Sequence, residues 1–296
     1  MRVRARRVLV IANPAAGLTR RRNAGEQAAR GAKRAGAFVE LHVTSGPGDA
    51  TAAASRAKGA GFDLVLAAGG DGTAHEAANG LAGSGVPLGI APAGTMNLLA
   101  RVLDVPLDPA LAAERLAEGS GRLPMRPGRA AGRLFLLMAG AGFDAWVLRE
   151  LLSRVRGKIR FRDYTRGALK GLWTFPFPEL SIETDAGTFG GHSAIVGRAP
   201  LYGGFLRPTP HARLDATSLE MCALSGGPVR LAVQLARMWS GAHGGRSGAV
   251  LAETSRVTIR SERADLPYQL DGELHGVLPV DIDVAQTPIV LARPSR

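Results

Sequence analysis

Residues 62–76 read FDLVLAAGGDGTAHE. An apolar run from Phe62 to Ala68 stops at Gly69, Gly70, Asp71, Gly72 and Thr73. Thr73 and Glu76 stand at the spacing of a capping box, which opens a helix. Strand, glycine turn and helix start, in that order, aim several backbone N–H groups at one spot where an anion can sit. Glycine leaves no Cβ between the backbone and a phosphate. Asp71 lies inside this turn, and a carboxylate beside a phosphate repels it unless a metal ion or a donor hydroxyl stands between them. The stretch therefore predicts a phosphorylated ligand, with a nucleotide carrying Mg²⁺ as the leading choice. The structural alternative is a glycine turn that only closes a βα unit.

Two more strand ends finish in the same way. Asn13-Pro14-Ala15-Ala16-Gly17 follows the apolar run Val8 to Ala12, and Pro92-Ala93-Gly94-Thr95-Met96-Asn97 follows Leu88 to Ala91. Thr44, just after Phe38 to Val43, is a fourth contributor. Helix-like stretches, about 20–35, 49–60, 74 onward and 96–103, alternate with these runs. The alternation predicts a Rossmann-like α/β domain over residues 1–126, a parallel sheet covered by helices. Right-handed crossovers bring every strand back in one direction, so all the loops leave the same edge. Ligands of such sheets bind beyond the carboxyl ends of the strands. One glycine loop is weak evidence, whereas three on one edge outline a cleft.

From about residue 126 the texture changes. LSIETDAGTFGGHSAIVG, LEMCALSGG and VTIRSERADLPYQLDGELHGVLPVDIDVA alternate with period two between turn residues, and LFLLMAGAGFDA is strand-like and glycine-rich. This predicts a mainly antiparallel β-sandwich over 127–286, interrupted by helix near 146–172 and 229–240. The last strand, Ile289 to Leu291 within 287–296, is a candidate to pack back on the first domain.

Composition narrows the partners. With 296 residues and 46% hydrophobic content the chain can build two packed domains. No apolar run approaches the ~20 residues of a membrane-spanning helix. Its one cysteine, Cys222, excludes an intrachain disulfide and argues for a cytoplasmic protein. The net charge of +12 favours polyanionic partners. An aromatic fraction of 5% is low for a base-stacking protein, and no zinc-finger, RNP-like or basic-zipper pattern occurs, so nucleic acid is not expected. An anionic membrane surface fits better. A homo-oligomer is compatible with the sequence.

NPAAG, GGDGT and PAGTMN, in this order and spacing, resemble the diacylglycerol kinase catalytic-domain family, which includes bacterial lipid kinases and the sphingosine and ceramide kinases. AGAGFDA (139–145), Tyr202-Gly203-Gly204-Phe205 and Leu270-Asp271-Gly272-Glu273-Leu274 extend the likeness over nearly the whole chain. GGDGT alone is shared with NAD kinases, which keeps an NAD kinase-like enzyme as the second reading. A nucleotide-binding regulatory module without turnover is the third. The resemblance implies an ATP-dependent lipid kinase acting on diacylglycerol or a related lipid. It implies an ATP site lined by Asn13, Pro14, Gly17, Thr44, the Ala68 to Ala74 stretch with Gly69, Gly70, Asp71, Gly72 and Thr73, then Gly94, Thr95 and Asn97. Asp71 would act on the phosphates through Mg²⁺, and Glu273 would be the general base toward the lipid hydroxyl. Asp271 and Glu273 flank a glycine, so a continuous strand would put both carboxylates on one face, a catalytic pair in which one acid raises the pKa of the other as suits a base. The alternative is a hairpin turn with two solvated acids.

One segment departs from the family pattern. Many bacterial members carry Asp-Asp-Gly after the tyrosine-glycine loop, where a structural Mg²⁺ is bound. Here the stretch reads Leu214-Asp215-Ala216-Thr217-Ser218-Leu219. The departure counts against that metal site near Asp215, and no ligands are assigned to it. Arg149 to Phe177 is the expected docking surface of an enzyme working peripherally at the inner face of the membrane. It carries Arg149, Arg154, Arg156, Lys158, Arg160, Arg162, Arg166 and Lys170, followed by Trp173, Phe175 and Phe177. A solvated basic helix face is the alternative.

Overall fold

The structure, a computed structural model, describes residues 6–15, 23–154, 161–240 and 248–295. Gly17, Arg156, Lys158 and Arg160 lie outside the described residues. The chain forms two compact units, Met1–Arg126 with Gln286–Arg296, and Pro127–Ala285.

The first unit runs β1 (Arg7–Ala12), α1 (Ala24–Arg34), β2 (Phe38–Val43), α2 (Asp49–Ser55), β3 (Leu64–Gly69), α3 (Asp71–Leu81), β4 (Pro87–Pro92), α4 (Leu98–Val102), α5 (Pro109–Glu118) and β5 (Ser120–Met125). The second unit follows with β6 (Gly128–Ala130), β7 (Arg133–Phe135), β8 (Met138–Gly142), α6 (Phe143–Arg154), α7 (Phe161–Thr174), β9 (Leu180–Thr184), β10 (Gly187–Gly191), β11 (Ser193–Gly197), β12 (Leu219–Leu224), α8 (Pro228–Met238), β13 (Val250–Thr254), β14 (Arg256–Ser261), β15 (Pro267–Leu270), β16 (Glu273–Val277) and β17 (Val280–Val284). The chain then returns to the first unit with β18 (Ile289–Pro294).

The first unit is one six-stranded sheet in the order β2-β1-β3-β4-β18-β5. β2, β1, β3, β4 and β18 are parallel, while β5 runs antiparallel to β18. The sheet is therefore mixed, not wholly parallel as the alternation implied. The cause is the returning strand: β18 is inserted between β4 and β5, so that β5, which follows α5 closely, pairs with it in reverse. β3 and β4 are buried along their whole length, as strands covered on both faces must be. α5 begins with Asp108 as N-cap, its carboxylate accepting the Leu111 N–H at 2.8 Å, and Pro109 in the first turn. It packs on α1 at Gly31, where a Cβ would lie 2.0 Å from the Ala110 carbonyl oxygen.

The second unit holds two six-stranded sheets, β10-β9-β14-β17-β6-β7 and β13-β12-β11-β8-β15-β16, both antiparallel. Ile182, Val257, Ile259 and Ile282 are buried on the first sheet, and Ile195, Met221, Cys222 and Leu270 on the second. The helical interruption expected near 146–172 is two helices, α6 and α7. Helix begins at Phe143, directly after β8, so Phe143-Asp144-Ala145 is helical and not strand. Among the described residues no helix is long and apolar enough to cross a membrane.

The α1–α5 contact predicts that Gly31→Ala overpacks the first unit, because the atom it meets is backbone and cannot rotate away. Urea denaturation should show a loss of about 1–3 kcal/mol. An unchanged midpoint would mean that the two helices do not meet at this glycine.

Candidate active site

In the first unit the carboxyl ends of β2, β1, β3 and β4 lie on one edge, and backbone hydrogen bonds join their loops. The Thr44 N–H donates to the Ala12 carbonyl at 2.8 Å, Asn13 N–H to Ala68 at 3.1 Å, and Ala93 N–H to Gly69 at 2.8 Å. Strand order reverses between β1 and β3, the place where open α/β sheets take ligands. Asn13 folds its own loop by accepting the Ala15 N–H on Oδ1 at 2.9 Å. The hydroxyl of Thr44 is buried and donates to the Ala12 carbonyl at 3.3 Å. Pro14 and Thr95 are exposed on this edge.

The glycine turn differs from its sequence reading in two respects. α3 begins at Asp71, with Gly70 as N-cap and no side-chain cap, so Thr73 and Glu76 form no capping box. Thr73 is instead buried against Gly69, where a Cβ would come within 2.3 Å of its hydroxyl oxygen. The Glu76 carboxylate reaches the Gly48 N–H at 3.1 Å. The glycines also serve loop-on-loop packing. A Cβ on Gly94 would lie 2.6 Å from the Gly70 Cα, so the second and third loops touch through glycine backbones. Gly72 is the second residue of α3.

Asp71 has a visible structural task. Its Oδ2 accepts the Leu98 N–H at 3.0 Å and its Oδ1 the Leu99 N–H at 3.1 Å. These are the first residues of α4, whose N-cap, Asn97, is committed elsewhere. Asn97 is left-handed (φ 50°), and its amide accepts from Gly94 N–H at 2.8 Å while donating to the Gly94 carbonyl at 2.9 Å. The orphan donors of α4 are thus satisfied from α3. A metal is therefore not required to explain an aspartate in this turn. The uncapped first turn of α3 presents the positive end of its dipole at the same place.

In the second unit the expected common face of Asp271 and Glu273 is absent. Asp271 (φ 48°) and Gly272 (φ 88°) form the two-residue turn of the β15–β16 hairpin, and Leu270 pairs with Glu273 across it. Two positive φ values suit a right-twisted hairpin. Asp271 is turned inward: its carboxylate accepts N–H groups of Leu136 at 2.7 Å, Leu137 at 2.8 Å and Met138 at 2.9 Å. Glu273 opens β16, exposed.

A buried polar chain supports this turn, and its members carry no site role in the sequence reading. The Gln269 side chain accepts the Gly272 N–H on Oε1 at 2.7 Å and donates from Nε2 to Asp144 Oδ2 at 2.8 Å. The Tyr202 hydroxyl donates to the other Asp144 oxygen. Gly140 makes room, since a Cβ there would lie 1.9 Å from Asp144 Oδ2. Asp144 and Gln269 are buried. Burial pushes the Asp144 carboxyl above the usual carboxylate range, against the lowering effect of its bonds to Tyr202 and Gln269. Burial, with Asp144 alongside, also raises the hydroxyls of Tyr164 and Tyr202. The signal was present in AGAGFDA and the tyrosine-glycine loop, but nothing local in either stretch announces a partner so distant in sequence. Among the described residues no group of three or more His, Cys, Asp and Glu is placed to hold a metal, Asp215 included.

Two outcomes follow from this geometry. Asp71→Ala leaves the α4 donors without their acceptor and should lower stability by about 1–3 kcal/mol in urea melts; unchanged stability would remove it as the tie between the loops. For Asp144 the folded state binds its proton more tightly than the unfolded state. That contribution favours folding below the ordinary carboxyl range, about pH 4, and is lost as pH rises through the raised value. Asp144→Asn should therefore gain on the wild type as pH increases from 4 toward 8, read as the difference between two urea-melt series. Parallel curves would show that Asp144 titrates normally.

Comparison with known proteins agrees with the architecture. Residues 7–124 match the diacylglycerol kinase catalytic domain, and residues 138–292 match the YegS C-terminal NAD kinase beta sandwich-like domain. A diacylglycerol kinase of Bacillus subtilis (strain 168) is 31% identical over 281 residues, covering 93% of this chain and 92% of the relative. A diacylglycerol kinase of Staphylococcus aureus (strain MRSA252) is 29% identical over 286 residues, covering 95% and 89%. The crystal structure of a diacylglycerol kinase from Bacillus anthracis str. Sterne superposes with a TM-score of 0.74 at 20% identity, over 99% of this chain and 98% of that one, and so shares its fold. This chain belongs to the diacylglycerol kinase catalytic-domain family and is a lipid kinase.

Proposed function

We propose that the enzyme transfers the γ-phosphoryl group of ATP to the hydroxyl of diacylglycerol or a related lipid, working as a cytoplasmic protein at the anionic inner face of a membrane. The observation that carries this reading is the asymmetry of the Asp271–Glu273 turn. One acid is tied to three backbone N–H groups and fixes the turn. The other is exposed, and none of the described residues hydrogen-bonds its carboxylate. Glu273 is thus the residue able to accept a proton from an incoming hydroxyl. Asp271, expected beside it as a catalytic group, acts in this proposal by positioning.

The triphosphate is assigned to the first-unit loops: Asn13, Pro14, Gly17, Thr44, Gly69 to Thr73, Gly94, Thr95 and Asn97. Backbone N–H groups at the start of α3 suit phosphate oxygens. Mg²⁺, when bound, would neutralise charge on the transferring phosphates, and Asp71, the carboxylate at the open start of α3, is the residue that would hold it. As the hydroxyl proton passes to Glu273, the lipid oxygen forms a bond to phosphorus. The bond from that phosphorus to the bridging oxygen breaks, and ADP leaves.

The membrane assignment rests on exposed chemistry of α7 and α8, which pack together. Leu169 and Trp173 on α7, Val229 and Val233 on α8, and Trp239 just beyond are exposed apolar residues. Arg162, Arg166 and Lys170 are exposed on α7, and Arg230 and Arg237 on α8. Two residues expected at this surface belong elsewhere. Phe175 is core, edge-on to Phe143, Trp146 and Phe177, and Arg149 stacks over Trp146 while donating to the Asp265 carbonyl at 2.6 Å.

Labelled ATP offered with diacylglycerol, sphingoid base, ceramide, polyprenol and NAD should put label into the organic phase. Label on NAD would replace the proposal with the dinucleotide kinase reading. Glu273→Gln should lower kcat by roughly 10²–10⁴ while leaving the melting temperature unchanged; near-normal lipid phosphorylation would remove Glu273 from the base role. Lys170→Glu combined with Trp173→Ala should weaken sedimentation with anionic vesicles. Wild-type binding indifferent to anionic lipid and to salt would refute the docking surface.

A further inference from the structure

Arg198 follows β11 and is fully buried, an unusual place for a guanidinium. Among the described residues no carboxylate forms an ion pair with it; the Asp215 carboxylate is instead paired with Arg213 through two hydrogen bonds of 3.0 and 2.8 Å. The partners of Arg198 are carbonyl oxygens. Nη2 donates to Leu214 at 3.1 Å and to Ala216 at 2.7 Å, and Nη1 donates to the Ser218 carbonyl. Its Nε has no acceptor among the described residues. Three alternate carbonyls of one short loop thus converge on a single positive group. Converging backbone carbonyls are how proteins also hold hard divalent cations.

This loop is the segment in which the family pattern places Asp-Asp-Gly and a structural Mg²⁺. The residues here do not fit such an ion. Ala216 supplies no ligand where the second aspartate stands in that pattern, Asp215 is engaged by Arg213, and a guanidinium already fills the convergence point of the carbonyls. We propose that the Arg198 side chain is the built-in cation of the 213–218 loop, replacing a structural divalent ion. The loop is then ordered by the chain itself whatever the magnesium concentration. It also remains coupled to the Asp271 turn, because the Arg198 N–H donates to the Leu137 carbonyl at 2.8 Å, and Leu137 is one of the residues held by Asp271. Burial lowers the Arg198 pKa to about 10, opposed by nearby Asp215, which still leaves it charged at neutral pH. Any divalent requirement of the enzyme therefore belongs to the nucleotide alone.

The test reads folding, not phosphoryl transfer, so it stands or falls independently of the proposed reaction. The nucleotide-free full chain is melted in EDTA and in millimolar Mg²⁺, and titrated with Mn²⁺ under paramagnetic resonance. The wild type should melt at one temperature in both and bind no tightly held Mn²⁺. Arg198→Leu should melt lower by on the order of 5–10 °C. Arg198→Leu with Ala216→Asp, which restores an acidic ligand and vacates the centre, should regain a melting temperature that rises with Mg²⁺ and falls on chelation. A wild-type melting temperature that drops in EDTA and recovers with Mg²⁺, or one tightly held nucleotide-independent Mn²⁺, would overturn the proposal. The wild-type arms decide the matter even if Arg198→Leu does not accumulate as folded protein.

Discussion

Backbone N–H groups at chain reversals need acceptors, and both units meet that need with an aspartate reaching across from another segment. Asp71 holds the first two amides of α4, and Asp271 holds three consecutive amides at 136–138. Hydrogen bonds to an ionised acceptor are stronger than neutral ones, so a single side chain can tie a turn to a segment distant in sequence. The loops around the proposed chemistry are short, glycine-rich and partly exposed. Burial anchors Leu99, Leu136, Leu137 and Met138, and the two carboxylates tie the turns to these buried segments.

The same constraint explains the glycines better than ligand approach alone. Gly70 and Gly94 touch each other, Gly69 carries Thr73, and Gly140 admits the carboxylate of Asp144. In each case a methyl group would meet a polar tie or backbone that cannot rotate away. The motifs therefore record two requirements at once: an open helix start for an anion, and close packing that holds the loop in place.

Much of this was readable along the chain, because periodicity is local. Phe38–Val43 is a strand with the bounds read from the sequence, β1, β3 and β4 begin or end within a residue or two of their apolar runs, and the change of texture near residue 126 coincides with the division between units. What could not be read depends on partners distant in sequence. β5 is antiparallel only because a strand more than 160 residues later enters the sheet beside it. Asp71 suggested a metal because Leu98 and Leu99 are unseen from GGDGT. Asp271 and Glu273 suggested a shared face because strand spacing says nothing about a turn with two positive φ values. Phe175 and Trp173 carry similar local signals, yet one is core and the other exposed.

Arg198 carries that lesson into the chemistry of charge. In a chain whose basic residues are nearly all arginine, one more arginine is invisible as sequence. Its meaning lies in an exchange: where Ala216 removes an acidic ligand, leaving a divalent ion in the loop would cost more, because fewer negative groups would offset its desolvation. A guanidinium has half the charge and a planar set of donors that can meet several carbonyls at once. A covalently attached cation also never has to be recruited from solution, so the loop is ordered without drawing on free magnesium. On this proposal Ala216 and Arg198 belong together: a loop without its second acid leaves three converging carbonyls that a monovalent, tethered guanidinium satisfies.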